Sequence, residues 1–187
     1  MQPIELETPR LRLRGWHDRD LDPLAEMCAD PRVMRYFPAT LSRDECAAAM
    51  ARCRVHFIRH GFGFWVVEHK DAARFIGLAG LAWSRLDLPF CPAVEIGWRL
   101  VADQWGQGLA YEAAQAALAF AFEQRQLDEV VSYTSPLNER SWRLMGRLGM
   151  QADEAASFDH PRLPEGHPLR RHLLYRMSRD QWNDRRR

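Results

Sequence analysis

The chain has 187 residues, 47% of them apolar, enough to bury one full core. Its formal net charge of +1 gives no field that would select nucleic acid or an anionic membrane. Lys70 is the only lysine, so a phosphate loop that needs a lysine after its last glycine is excluded.

The opening segment "MQPIELETPRLRLR" lacks an apolar run, so neither a signal peptide nor an anchor is expected, and no stretch is long enough to span a bilayer. "LRLRG", Leu11 to Gly15, alternates apolar and basic residues and predicts a strand. A short helix follows, with Asp18 or Asp20 as its cap and Pro31 just past its end. Ser42 and Glu45 have capping-box spacing and open a second helix that Gly61 stops. "FGFWVVEHK" and "ARFIGLAGLAWS" predict two strands turning at Asp71, and "RLDLPFCP" a loop. "AVEIGWRLV", Ala93 to Val101, predicts a strand, and a helix runs from about Gly108 to Gln124. A strand from Asp128 and a short helix closed by Gly149 come next, then two strands, "QADEAASFD" and "RRHLLYRMS". The polar tail from about residue 179 to 187 is expected to fray or make one turn. With no repeat, linker or low-complexity tract, this order predicts one mixed α/β (α+β) domain over residues 1–187, its sheet antiparallel in the early part. Cys28, Cys46, Cys53 and Cys91 show no C-x-x-C pairing, so no metal is expected. Buried thiols and a reducing cytoplasm are the simplest reading.

Gly106 and Gly108 stand between a strand and a helix, where backbone amides can hold an anion. A dinucleotide fingerprint wants a small residue where this chain has Tyr111, and wants it near the first strand. What remains is a turn whose amides, with the positive end of the helix, hold a pyrophosphate, or else a plain strand–helix turn.

"EIGWRLVADQWGQGLAYEA", Glu95 to Ala113, resembles the acetyl-coenzyme A signature of the GNAT superfamily of N-acetyltransferases. It is most similar to the branch of ribosomal-protein N-terminal (alanine/serine) acetyltransferases, through Trp105, Gly106, Gln107, Gly108, Leu109, Ala110, Glu112 and Ala113. "ETPRLRLR", "NERSWRLMGRLGM" and "LYRMSRDQW" resemble other segments of that branch, so nearly the whole chain is covered. The resemblance implies the GNAT fold: a mixed, mostly antiparallel sheet with a splayed parallel strand pair, flanked by helices. It implies acetyl-CoA as the acyl donor and a primary amine as acceptor, either a protein N-terminal α-amine or a small molecule, attacking directly in a ternary complex.

The same resemblance distributes roles. The pantetheine arm would pair with backbone near Trp98, Arg99, Leu100 and Val101, and the pyrophosphate would sit on the amides from Gly106 to Ala110. Asn138 would bond a pantetheine amide or else cap its helix, and Arg147 would reach the 3′-phosphate or serve as a surface residue. Glu95 points to the face opposite Ile96 and is the candidate general base; otherwise it is a solvated strand carboxylate. Ser141 is the candidate at the sulfur end, because the usual tyrosine position holds Met145, which cannot donate a proton. The last loop carries His160, His167 and His172, and of these His160 and His167 join Trp83 and Phe90 as candidate acceptor-pocket residues. Exposed aromatics would equally suit a homodimer face. Two competitors are an acyl-CoA-binding sensor of the same fold without catalysis, and an interaction module independent of coenzyme A.

Overall fold

The computed structural model describes residues 4–84 and 87–186; Arg85 and Leu86, in the expected mid-chain loop, lie outside them. In chain order the elements are β1 (Leu6–Glu7), β2 (Leu11–Arg14), α1 (Leu21–Ala29), α2 (Arg43–His60), β3 (Phe64–His69), β4 (Arg74–Trp83) and β5 (Val94–Leu100). They continue with α3 (Leu109–Ala119), β6 (Glu129–Thr134), α4 (Glu139–Leu148), β7 (Gln151–Asp159), β8 (Arg171–Ser178) and α5 (Arg179–Asp184). The eight strands form a sheet in the order β1-β2-β3-β4-β5-β6-β8-β7. Pairs β1–β2, β2–β3, β3–β4, β6–β8 and β7–β8 are antiparallel, and β5–β6 is parallel. This is the expected fold class. Residues up to Ala82 with Gly97–Ala117 make one compact unit; Trp83–Ile96 with the chain from Leu118 onward make a second.

In the first unit β3 is covered on both faces. Trp65, Val66 and Val67 are fully buried, which is why "FWVV" reads as a continuous apolar run rather than an alternating one. Phe57 of α2 meets Trp65 edge-on at 5.5 Å between ring centroids. The capping box of α2 forms as expected: Glu45 N donates to Ser42 Oγ at 3.2 Å, and Ser42 N to Glu45 Oε2 at 2.7 Å. Gly61 closes the helix with φ 74°, a left-handed value that glycine adopts without cost. The expected aspartate cap of α1 does not form. Asp18–Asp20 is a 3-10 turn, and the Asp20 carboxylate is taken by Arg14 (2.8 Å to each oxygen) and by the His17 amide (2.7 Å). Arg14 also donates to Glu68 at 2.8 Å, so one buried guanidinium serves two buried carboxylates. Burial pushes the Asp20 carboxyl up, but the Arg14 and His17 donors together bring it below the ordinary value. Lys70 Nζ donates to Glu7 Oε2 at 3.0 Å and to the Thr8 carbonyl at 2.6 Å, clamping the β1–β2 turn.

In the second unit a π-helical turn, Phe120–Gln124, buries Phe120 and Phe122. Phe122 stacks on Trp182 of α5 with centroids 5.7 Å apart. Of the two outcomes expected for the tail, the turn is the one that forms: Ser178 and Gln181 make a second capping box, and Trp182 anchors the short α5 in the core. Gly149 closes α4 with φ 89°. The β7–β8 ladder shifts register between Asp153 and Phe158.

Candidate functional site

The glycine turn lies in the first unit. Gly106 and Gly108 have φ 76° and 77°, so both positions need the left-handed region. A Cβ built on Gly106 meets nothing within 4 Å, and one on Gly108 meets only Arg10 Nη2 at 3.6 Å. The glycines are required by backbone conformation, with open space above them. The first helical bond of α3 is Glu112 N to Gly108 O at 3.0 Å. The amides from Gly106 to Ala110 donate to no other group among the described residues. Five consecutive donors at a helix start, with open space above Gly106 and Gly108, suit a doubly charged anion such as a pyrophosphate.

Side chains brace this turn. Trp105 Nε1 donates to the Leu100 carbonyl at 2.9 Å, which ties the turn to β5. Glu112 accepts from Thr8 Oγ1 at 2.6 Å, from Arg10 N at 2.9 Å and from Arg10 Nε at 2.7 Å. Arg10 Nη1 in turn donates to the Gln107 carbonyl at 2.9 Å. The motif glutamate thus works through the arginine of "TPRLRLR", two segments that sequence reasoning had matched separately. Against the expected open backbone of β5, the Leu100 carbonyl is already taken by Trp105, and the Val101 amide by the Ile76 carbonyl at 3.0 Å. Trp98 and Arg99 lie half-buried; the Arg99 guanidinium sits over the Phe37 ring at 3.9 Å and donates to Cys28 Sγ at 3.3 Å.

A second cluster is built in the other unit. In the parallel ladder Glu95 stands opposite Val131, and Tyr133 lies two residues further along the same face. Its hydroxyl donates to Glu95 Oε2. Burial pushes the Glu95 carboxyl up, opposed by the Tyr133 hydrogen bond and the positive Arg162. Burial, then the Glu95 charge, holds the Tyr133 phenol far above its usual range. Around Tyr133 stand Phe158, His172 and Phe90, at centroid distances of 5.5, 6.1 and 6.2 Å. His160 is 5.0 Å from His172. Burial lowers both imidazoles, and for His160 so do His172 and Arg162.

Of the candidate acceptor residues, Phe90 and His160 therefore join the Glu95 cluster. His167 turns into its own loop, accepting from Leu169 N at 3.1 Å, and Trp83 is 37% exposed at the end of β4. Tyr133 and Phe158 escaped the sequence reading. Tyr133 sat in a predicted strand with no motif around it, and its partner lies 38 residues away. Asn138 occupies the N-cap position of α4, yet its amide donates to Thr134 Oγ1 at 3.2 Å instead of capping. Ser141, half-buried in the first turn, has no hydrogen-bond partner for Oγ among the described residues. Met145 is buried, and Arg147 is exposed near the end of the helix. No grouping of three or more metal-ligating side chains occurs among the described residues.

Residues 10–151 match the family model described as "Acetyltransferase (GNAT) domain". The chain is similar to "Uncharacterized protein YkkB" of Bacillus subtilis, 29% identical over 78% of this chain and 84% of that one. It is 26% identical to the "[Ribosomal protein uS5]-alanine N-acetyltransferase" of Escherichia coli over 80% of this chain and 79% of that one. Among solved structures, an acetyltransferase from Agrobacterium tumefaciens superposes with a TM-score of 0.76 at 27% identity, covering 95% of this chain and 96% of the other.

Proposed function

The chain belongs to the GNAT family of acetyltransferases, and from that premise we propose that it moves the acetyl group of acetyl-coenzyme A to a primary amine by direct attack. The observation that carries the cofactor half of this reading is the row of unpartnered amides from Gly106 to Ala110 at a left-handed glycine turn. These amides hold the pyrophosphate. Asn138 keeps its side-chain carbonyl for a pantetheine amide, and Arg147 reaches the 3′-phosphate. We read the whole chain as one acetyltransferase domain.

Glu95 is the base. It takes one proton from the acceptor ammonium, and the freed nitrogen pair attacks the thioester carbonyl. The C–N bond forms and the nitrogen sheds its second proton to solvent; the C–S bond breaks, and the sulfur leaves with the electron pair and takes a proton from the Ser141 hydroxyl, which regains one from solvent. The acceptor is an α-amine, of a peptide or of a small molecule. About a tenth of such amines are neutral at pH 7, against about one lysine side chain in 2,500. A single half-buried carboxylate suffices for the first and hardly for the second. The relative that acts on the uS5 alanine supports an N-terminal acceptor. The test is free-thiol release with acetyl-CoA and a panel of peptides, amino acids, polyamines and aminoglycosides. Turnover with free α-amines is expected; turnover confined to lysine side chains would overturn the assignment.

Two further outcomes are expected. Because Glu95 is raised, and a base works only when ionised, wild-type kcat/KM should climb with pH through a midpoint above the ordinary ~4.3 of a glutamate. A midpoint at or below that value would contradict the role. Glu112→Ala should weaken acetyl-CoA binding about tenfold by calorimetry, since it removes the charge-assisted bonds that hold Arg10 on the turn. An unchanged Kd would mean that the brace has no bearing on the anion.

A further inference from the structure

A buried carboxylate with no donor beside it keeps its proton and is a poor base. Glu95 has one such donor, the Tyr133 hydroxyl on Oε2, while Oε1 has no partner among the described residues. The phenol is itself held in place. Its backbone pairs with Leu174 on β8, and its ring is walled by Phe90, Phe158 and His172. Ser84 acts on the phenol in the sense opposite to Glu95, favouring negative charge on its oxygen.

Resting on the reading of Glu95 as base, we propose that Tyr133 is a positioning residue for it. The hydroxyl fixes Oε2 and leaves Oε1 as the oxygen that receives the proton of the acceptor amine. The proton passes from the acceptor nitrogen to Oε1 and later to solvent; the nitrogen keeps its pair for the thioester. Tyr133 stays protonated throughout, as a phenol beside a buried negative charge must. The other charged and titratable groups around the pair are few. Arg162 acts on Glu95, Cys91 and His172 stand near Tyr133, and His160 lies behind His172. A pH response of the pair is therefore read against two imidazoles that lie below the ordinary histidine value.

The experiment is the pH profile of kcat/KM for wild type, Tyr133→Phe and a protein with 3-fluorotyrosine at position 133. Phenylalanine removes the donor, so the acid limb should move up by about one unit, a roughly tenfold lower rate on its acid side. The alkaline plateau and the KM for acetyl-CoA should hold within about twofold, because no binding contact is lost. Fluorotyrosine keeps the ring and strengthens the donor, so its limb should move down. It also serves as the folded comparison if the phenylalanine variant fails to fold. Superimposed profiles, or a lowered plateau with an unmoved limb, would overturn the positioning role. Glu95→Gln separates the two readings: if it leaves the wild-type limb in place, the base assignment falls and this inference with it. If Glu95→Gln abolishes the limb while neither change at Tyr133 moves it, only this inference falls.

Discussion

Glu95→Gln is expected to lower kcat by about 10²–10⁴-fold, the range for losing a positioned base, with acetyl-CoA affinity unchanged. Glutamine keeps the shape of the side chain and still accepts from Tyr133, so the packing around the pair survives. It cannot take a proton. The acid limb of the wild-type profile should therefore vanish, leaving only the ionisation of the amine itself. That gives the loss a characteristic dependence on conditions. An α-amine titrates near ~8, so by about pH 9.5 almost all of it is neutral and the deficit should shrink. A lysine-like acceptor would keep the deficit across the same range. A variant whose rate and profile both match wild type would remove Glu95 from the mechanism.

Gly108→Glu is expected to weaken acetyl-CoA binding by about 100-fold or more, the effect of setting like charge against a pyrophosphate. The fold should tolerate the change. Gly108 is exposed, and the only side chain near a Cβ at that point is Arg10, which a glutamate would attract. The left-handed φ of 77° adds strain of about 1–2 kcal/mol. Gly166 provides a matched control, with φ 79° and nothing within 4 Å of an added Cβ. Gly166→Glu should show the same strain in thermal denaturation and bind acetyl-CoA as wild type does. Equal loss at both positions, or micromolar affinity retained in Gly108→Glu, would separate the anion from this turn.

Local chemistry was the legible part. The Ser42–Glu45 box, the stop at Gly61 and the glycine turn before α3 involve residues close in sequence, and the pattern that predicts each one is the pattern that forms it. The misses share the opposite character. Asp20 has the composition of a cap, but a buried guanidinium is a stronger claimant, and Arg14 takes it. The tail leaves fraying and a single turn both open in the sequence, because the residue that decides for the turn, Trp182, finds its partner Phe122 far back along the chain. β1 has two residues, too few to show alternation. The candidate site divides the same way. Its cofactor motif is contiguous, whereas Glu95 and Tyr133 meet across a parallel ladder that no spacing rule announces. His160 and His167 are equal candidates in the sequence, and only tertiary placement separates His160, beside His172 of β8, from His167.

The clamp on Lys70 bears on how this protein can be assayed. An acyl donor left with its enzyme labels whatever nucleophilic side-chain nitrogens the protein displays, and here the sole lysine is already engaged by Glu7 and the Thr8 carbonyl. Self-labelling at a side chain would have to begin by prying that ammonium loose. Little acetylation at Lys70 is therefore expected in peptide mass spectrometry of the enzyme, so that lysine signal in an assay can be assigned to an added acceptor.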